Sequence, residues 1–191
     1  MVLIFSDIHG NREAAKQVQQ LARGCTDVLF CGDVCGYGKD FGYCIDMFID
    51  LGIKAVLGNH DRLVIDNRMD LNFYSKEVRD PIQYTKDNIS TKHLQYLYQL
   101  PGAVTVNDIY LTHTYGYDQY VTCPEDCFGL VKKTYKKIIA IGHTHIQCDM
   151  MLGDVRIINP GSITKGRKGK NRGYVLLEDD RFRFVTCEDV I

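Results

Sequence analysis

The N-terminal stretch Val2-Leu3-Ile4-Phe5-Ser6-Asp7-Ile8-His9 joins an apolar run to two residue types that bind metals. A short apolar run that ends at polar residues predicts a buried strand over Val2–Phe5. Side chains two apart in an extended chain point the same way, so Asp7 and His9 can present an oxygen and a nitrogen to one ion. Taken alone, the pair is better explained as a helix N-cap followed by a turn histidine. A metal site therefore requires that other strand ends contribute similar groups.

Four further apolar runs end in motifs of this kind. In chain order these motifs are Gly32-Asp33, Gly58-Asn59-His60-Asp61, His113 and Gly142-His143-Thr144-His145. Each motif alone is explained equally well as a polar loop, but that explanation is weak for all of them together. Carboxylate, imidazole and amide groups are ligands of zinc, iron and manganese. The remaining one of the six histidines, His93, falls in a predicted helix over Lys92–Leu100 and is assigned a structural or surface role.

The order of the predicted elements indicates an α/β fold. Strands over Val28–Cys31 and Lys54–Leu57 alternate with helices over Arg12–Ala22 and Phe41–Leu51, which is typical of βαβ units and a parallel sheet. Residues 62–100 are predicted to be mainly helical. The second half favours strands over Ala103–Val106, Ile109–Thr112, Ile138–Ile141, Val155–Ile158, Tyr174–Leu177 and Phe182–Val185, with a helix over Thr122–Lys137. Since ligands in open α/β sheets gather at the carboxyl ends of strands, the motifs are expected to converge.

Composition limits the class of protein. The chain has 191 residues, of which 45% are hydrophobic and 25% charged, as expected for one globular domain over residues 1–191. Its net charge of -1 predicts no general affinity for nucleic acid or for anionic membranes. The N-terminus lacks the basic region of a signal peptide, and no apolar stretch approaches the length of a membrane span. We therefore expect a cytoplasmic protein.

The eight cysteines are expected to be small buried thiols. Neither an export signal nor a C-x-x-C pair accompanies them, although Cys31 and Cys35, like Cys123 and Cys127, share a four-residue offset. The pattern thus favours buried thiols over disulfides or a structural zinc site.

The ordered motifs resemble the signature blocks of the calcineurin-like metallophosphoesterases. The resemblance extends from Val2 to about Gly173 and is strongest to small single-domain bacterial and archaeal phosphodiesterases, where Gly36-Tyr37-Gly38 and Asn159-Pro160-Gly161-Ser162 also have counterparts. It implies an α/β fold of the four-layer α/β/β/α sandwich type, with a dinuclear metal centre at its strand ends.

The resemblance also implies roles for the site residues. One divalent ion would be held by Asp7, His9 and His145, a second by Asn59, His113 and His143, and Asp33 would bridge them. His60 would contact the phosphate and protonate the leaving oxygen, while Asp61 would orient the His60 ring. Manganese is the favoured metal, with iron, nickel and zinc as alternatives.

The implied reaction is hydrolysis of a small phosphoester. Two metals roughly 3.5 to 4 Å apart lower the pKa of a bridging water and clamp the oxygens of an in-line displacement, so a bridging hydroxide would attack phosphorus without a covalent enzyme intermediate. Asp7 and Asp33 return only two of the four positive charges, which leaves the centre suited to an anion.

Several residues are candidates for binding that anion. Asn11 and Arg12 follow His9, and Lys165 and Arg167 lie in the basic, glycine-rich segment 164–172, which is explained equally well as a solvated hairpin connection. Three tyrosines, Tyr115, Tyr117 and Tyr120, follow His113 and could stack on an aromatic group, although loop aromatics more often pack. Neither nucleic acid nor a membrane is expected as a partner, and a homo-oligomer is compatible with the sequence.

Two other functions compete with a phosphodiesterase. A phosphomonoesterase or a protein or nucleotide phosphatase would share the metal centre. However, such relatives usually carry a Gly-Asp-x-x-Asp-Arg-Gly block, whereas here Gly32 is followed by Asp33-Val34-Cys35-Gly36-Tyr37-Gly38, without that arginine. A non-catalytic scaffold resembling a retromer subunit is the second alternative, but that subunit has lost the catalytic histidine, which His60 retains here.

Overall fold

Two five-stranded sheets form the frame of the molecule. The computed structural model describes residues 1–114, 137–167 and 172–187. In chain order the strands of these residues are β1 (Val2–Phe5), β2 (Asp27–Phe30), β3 (Lys54–Ala55), β4 (Ala103–Val106), β5 (Ile109–Thr112), β6 (Ile138–Ala140), β7 (Gln147–Leu152), β8 (Val155–Pro160), β9 (Arg172–Glu178) and β10 (Arg181–Cys187). The first sheet has the order β10-β9-β1-β2-β3, and the second has the order β4-β5-β6-β8-β7.

Five α-helices accompany the sheets within the described residues. They are α1 (Arg12–Ala22), α2 (Phe41–Asp50), α3 (Asn59–Ile65), α4 (Lys76–Asn88) and α5 (Thr91–Gln99), with a short 3₁₀ helix at Leu71–Phe73. Polar caps fix where two of them begin: Asn11 Oδ1 accepts the Ala14 N–H at 2.9 Å, and Ser90 Oγ accepts the His93 N–H at 3.2 Å. No helix of these residues is both long and apolar enough to cross a membrane.

The alternation of β1 side chains divides the core into two parts. Leu3 and Phe5 face a large apolar cluster shared with the helices, whereas Ile4 faces a second cluster between the sheets. That second cluster joins residues of the first sheet, such as Ile4 and Leu29, to residues of the second, such as Leu111 and Ile158. The two sheets therefore pack face to face, with helices on the outer face of the first.

A single side chain also ties the two sheets together through hydrogen bonds. Gln147, at the start of β7, donates from Nε2 to the carbonyl of Tyr174 at 3.3 Å and to that of Val185 at 3.0 Å. Because β7 belongs to the second sheet and both acceptors belong to the first, these hydrogen bonds hold the two sheets together at the start of β7.

The structure confirms the predicted α/β class and most predicted elements. Strands β1, β4 and β5 and helix α1 have the predicted bounds, and β1, β2 and β3 are parallel. Strand β7 was not predicted, because its sequence Gln-Cys-Asp-Met-Met-Leu lacks a strong apolar alternation and lies at the sheet edge. The predicted helix over Thr122–Lys137 lies almost wholly outside the described residues, and the single-domain organisation stays a prediction.

The thiols agree with the sequence interpretation in part. Cys31, Cys35, Cys44 and Cys187 are buried, whereas Cys25 and Cys148 are half-buried. Burial raises the pKa of the Cys31 and Cys35 thiols well above the ordinary value. Buried neutral thiols behave as small apolar groups in the core.

We expect Phe30→Ala to lower the free energy of unfolding by about 3–5 kcal/mol, because it removes a fully buried ring from a three-ring cluster. The Phe30 ring centroid lies 4.8 Å from that of Phe5 and 4.6 Å from that of Phe48. The matched control is Phe73→Ala, since Phe73 is 88% exposed, and it should change stability by less than about 0.5 kcal/mol. Urea denaturation monitored by circular dichroism measures both, and equal losses would contradict the assignment of the core.

Candidate metal centre

The predicted site residues meet where the carboxyl ends of strands from both sheets converge. Strands β1, β2 and β3 are parallel in the first sheet, as are β5 and β6 in the second, so the loops that follow them leave from corresponding edges. These loops carry Asp7 and His9 after β1, Asp33 after β2, Asn59 and His60 after β3, His113 after β5, and His143 and His145 after β6. The structure therefore brings together all seven residues predicted as metal ligands, together with His60.

The first group consists of Asp7, His9 and His145, the three residues implied for one ion. His145 Nε2 lies 3.2 Å from Asp7 Oδ1 and 3.1 Å from His9 Nε2, and His9 Nε2 lies 3.8 Å from Asp7 Oδ1. All three side chains are almost completely buried. One small cation can thus be reached by an oxygen and two nitrogens.

The second group consists of Asn59, His113 and His143. Asn59 Oδ1 lies 3.0 Å from His113 Nε2 and 2.8 Å from His143 Nδ1. The carboxylate of Asp33 lies between the groups, with Oδ2 at 3.4 Å from His113 Nε2 and 4.0 Å from His9 Nε2. Its other oxygen accepts the His60 N–H at 2.8 Å, so the carboxylate is held in this position.

The tautomers of three imidazoles test whether cations fit these groups. The Nδ1 atoms of His9, His113 and His145 lie 2.6–2.9 Å from the backbone carbonyls of Cys35, Cys31 and Lys165. A carbonyl only accepts, so each Nδ1 carries a hydrogen, and in the neutral imidazole each Nε2 presents a lone pair to the site. His9 Nε2 and His145 Nε2 therefore face each other with lone pairs, and a shared cation satisfies both.

The buried carboxylates also indicate that cations fit these groups. Asp7 Oδ1 is buried and has no hydrogen-bond partner among the described residues, which is costly unless a cation lies beside it. Although burial lowers the pKa of His113, the charges of Asp33 and Asp7 and the hydrogen bonds to Asp33 and to the Cys31 carbonyl together raise it to about 9. Burial lowers the pKa of His9 and of His143 to about 4. The donors thus suit divalent cations, which would replace the proton on His113.

The backbone at these residues is strained. Asp7, His9, Asp33, His143 and His145 have φ between 46° and 68°, the left-handed region that non-glycine residues seldom adopt. Each such residue costs on the order of 1–3 kcal/mol and persists only where surrounding contacts enforce it. The strain is concentrated on predicted metal ligands, as expected where side chains are aimed for function.

Asp61 has a different role from the predicted one. Its Oδ2 accepts the N–H groups of Asp33, Val34 and Gly58 at 3.0–3.2 Å, and its Oδ1 accepts that of Cys35 at 2.7 Å. His60 Nδ1 is buried without a partner among the described residues. The prediction that Asp61 orients the His60 ring is therefore wrong, because four amides already occupy the carboxylate.

Burial and the charge of Asp33 raise the pKa of Asp61 to about 6. The hydrogen bonds from the backbone amides of Cys35, Gly58 and Val34 lower this pKa and so oppose the rise. The carboxylate of Asp61 thus holds the backbone of the loop that presents Asp33.

The four predicted substrate-binding residues differ in what they contact. Asn11 caps α1, and Arg12 lies 3.8 Å from Asp40 and over the ring of Tyr43. Lys165 contributes its backbone carbonyl to His145.

Arg167 is exposed, and its charge helps lower the pKa of His143, after burial and the charge of His113. Arg167 is thus the candidate whose charge reaches the centre. Tyr115, Tyr117 and Tyr120 lie outside the described residues.

Three residues at the site were given no role by the sequence. The ring centroid of Tyr37 lies 4.6 Å from that of His9 and 5.1 Å from that of His60. Asn159 Nδ2 donates to the Gly142 carbonyl at 2.8 Å, and Ser162 Oγ donates to the Asp7 carbonyl at 2.9 Å. The only sequence signal for them was that their short motifs have counterparts in the resembling proteins.

We expect Gly36→Ala to disturb the centre more than a comparable change elsewhere. Gly36 has φ of 118°, and an added Cβ would lie 2.7 Å from Nδ1 of both His9 and His60. The control Gly153→Ala also has positive φ, of 61°, but its Cβ would meet nothing within 4 Å. Gly36→Ala should reduce bound metal per chain, measured by plasma mass spectrometry. Gly153→Ala should only lower stability, by about 1–2 kcal/mol. Equal metal retention would contradict the geometry.

Comparisons with known proteins show the family of this chain. A family model described as the calcineurin-like phosphoesterase superfamily domain matches residues 1–181. An uncharacterized protein of Methanocaldococcus jannaschii is 28% identical over 211 residues, which cover 95% of this chain and 83% of that protein.

Two solved structures share the fold. A metallophosphoesterase from Sphaerobacter thermophilus superposes with a TM-score of 0.82 at 24% identity, over 98% of this chain and 88% of its own. A hypothetical protein from Pyrococcus horikoshii superposes with a TM-score of 0.75 at 18% identity, over 99% and 89%. By its sequence match and its fold, this chain belongs to the calcineurin-like phosphoesterase superfamily.

Proposed function

We propose that the protein is a cytoplasmic phosphodiesterase that binds two divalent metal ions, with manganese favoured over iron, nickel or zinc. The observation that carries this proposal is the pair of Nε2 lone pairs of His9 and His145, 3.1 Å apart beside the unpartnered Oδ1 of Asp7. A phosphoesterase of this superfamily needs such a convergence of acceptors. Two divalent cations held there would supply Lewis-acid charge and a water of lowered pKa for in-line attack at phosphorus.

The chain's own residues would bind and orient the phosphate. Asp33 would bridge the two ligand groups, and Asn59, His113 and His143 would complete the second. His60 belongs to a group with His9 and Asp33 whose ligand atoms lie within 4.8 Å of one another. From that position it would donate a hydrogen bond to a phosphate oxygen and pass a proton to the leaving oxygen. The retained His60 also argues against a non-catalytic scaffold.

The residue at position 37, at the rim of the site, favours a diester over a monoester as the substrate. In the Gly-Asp-x-x-Asp-Arg-Gly block of related phosphatases, the arginine would fall at position 37, where this chain has a tyrosine. Tyr37 contacts His9 and His60, so an uncharged ring stands at the position where that block has an arginine that would help bind a dianion. A phosphodiester carries one negative charge, whereas a monoester carries close to two at neutral pH.

Likeness of fold alone leaves the ester class open. One protein of this fold is described as a novel archaeal phosphodiesterase and another as a cold-active protein-tyrosine phosphatase, at 16% and 17% identity. The preference for a diester therefore rests on the residues of this chain, chiefly on Tyr37 in place of the arginine.

We expect His60→Ala to lower kcat/KM for bis(p-nitrophenyl) phosphate by roughly 10²- to 10⁴-fold, the usual contribution of a proton-transferring side chain. His93→Ala is the matched control, because His93 lies in α5 with its Nε2 3.1 Å from Asp46 Oδ1, away from the site. The control should keep wild-type kcat/KM and bound metal. Full activity of His60→Ala would remove the proposed role of His60.

Metal removal tests the centre itself. After treatment with a chelator we expect hydrolysis of bis(p-nitrophenyl) phosphate to be lost and to return with about two Mn²⁺ per chain, because Asp33 serves both ligand groups. Asp33→Asn should not recover activity on the same titration. A parallel assay with p-nitrophenyl phosphate should give a lower kcat/KM than the diester. Preference for the monoester would show a phosphomonoesterase, and an inert protein free of metal would support the scaffold.

A further inference from the structure

Tyr37 is the exposed aromatic side chain that borders the metal centre within the described residues. It is 43% exposed, although its ring contacts the imidazoles of both His9 and His60. The other exposed rings of the described residues lie elsewhere. Phe73 belongs to the 3₁₀ helix, and Tyr84 lies in α4 with Lys39 Nζ 5.0 Å from its ring centroid. The Tyr98 hydroxyl donates to the Ile65 carbonyl. An aromatic surface is therefore presented to solvent at the place where a substrate phosphate would bind.

The backbone on both sides of Tyr37 is fixed. Gly38 N–H donates to the His9 carbonyl at 2.8 Å, and the Asp40 N–H donates to the Gly10 carbonyl at 3.0 Å. On the other side, a Cβ on Gly36 would collide with the two imidazoles, so this segment lies directly against the site. A ring held in this way loses little conformational freedom when a ligand packs on it, which favours binding.

The chemistry of the ring indicates what it would bind. A phenol ring offers a neutral, planar and polarisable face, which suits another planar aromatic group in offset or edge contact. It offers no positive charge for a second phosphate. The ligand part that extends from the phosphate over Tyr37 should thus be flat and aromatic rather than anionic.

We propose that Tyr37 is a specificity-determining residue and that the substrates are phosphodiesters with a planar aromatic substituent, a nucleobase or an aryl group, which packs on the Tyr37 ring. This inference rests on the proposed phosphodiesterase function. Tyr37 holds the substituent, and the phosphate then lies between His60 and the metal-ligand groups.

The test measures inhibition constants against bis(p-nitrophenyl) phosphate hydrolysis by the manganese-loaded protein. The probes are diphenyl phosphate, thymidine 5′-ethyl phosphate and dicyclohexyl phosphate, which is apolar but not planar. The variants are Tyr37→Leu, which keeps apolar bulk, Tyr37→Phe, which keeps the ring, and Tyr98→Leu as a control at another exposed tyrosine. Metal content and thermal unfolding are measured for every variant.

In the wild type, the aromatic diesters should inhibit at roughly tenfold lower concentration than dicyclohexyl phosphate, as stacking on an aromatic side chain allows. Tyr37→Leu should abolish this ratio, whereas Tyr37→Phe and Tyr98→Leu should keep it. If Tyr37→Leu weakens inhibition by thymidine 5′-ethyl phosphate more, the aromatic group of the substrate is a nucleobase. If it weakens inhibition by diphenyl phosphate more, that group is an aryl group.

Two results would overturn the inference in different ways. Hydrolysis with equal inhibition constants for the aromatic and dicyclohexyl diesters, or a ratio unchanged in Tyr37→Leu, overturns the role of Tyr37 and leaves the phosphodiesterase function standing. Absence of any diester hydrolysis by the metal-loaded protein overturns the proposed function and this inference with it.

Discussion

The structure depends on a buried excess of hydrogen-bond acceptors and negative charge. Asp7 and Asp33 are almost fully buried, and the Nε2 atoms of His9, His113 and His145 lie close to them or to one another. Such an arrangement is unfavourable in a low-dielectric interior unless positive charge enters it. The folded chain therefore has a candidate cation site at the edge of its core. The rest of the architecture holds these groups together against their repulsion.

Holding them together requires strained backbone, and the surrounding contacts compensate for that strain. The carbonyl of Asp7 accepts hydrogen bonds from Ser162 and Thr164, while Asn159 holds the Gly142 carbonyl before the two site histidines. These supports come from the end of β8 and the loop after it, far from Asp7 in sequence. The Asn159-Pro160-Gly161-Ser162 motif thus acts on the centre through the loops that carry the candidate ligands.

Sequence patterns predicted which polar residues converge better than they predicted the residues that support them. Asp7, His9 and the later motifs were identifiable because each follows an apolar run, and parallel strands bring such ends to one edge. Strand β7 escaped prediction because its side chains are largely half-exposed and its sequence does not alternate strongly. The role of Asp61 was also inaccessible, since three of its four partners are backbone amides of a loop 26–28 residues earlier in the chain, and side-chain spacing carries no record of such bonds.

The loop of residues 32–38 connects the candidate metal ligands to the rim of the site. Asp33 lies between the two ligand groups, and the Cys35 carbonyl fixes the tautomer of His9. Tyr37 follows at the rim, and Asp61 accepts the amides of residues 33, 34 and 35 at once. A displacement of this loop would therefore move a metal ligand, rotate an imidazole and shift the aromatic surface together. Because Asp61 is adjacent to His60 in sequence, the residue that would face the substrate phosphate is fixed to the same unit. Metal binding and substrate recognition are thus expected to depend on one rigid element.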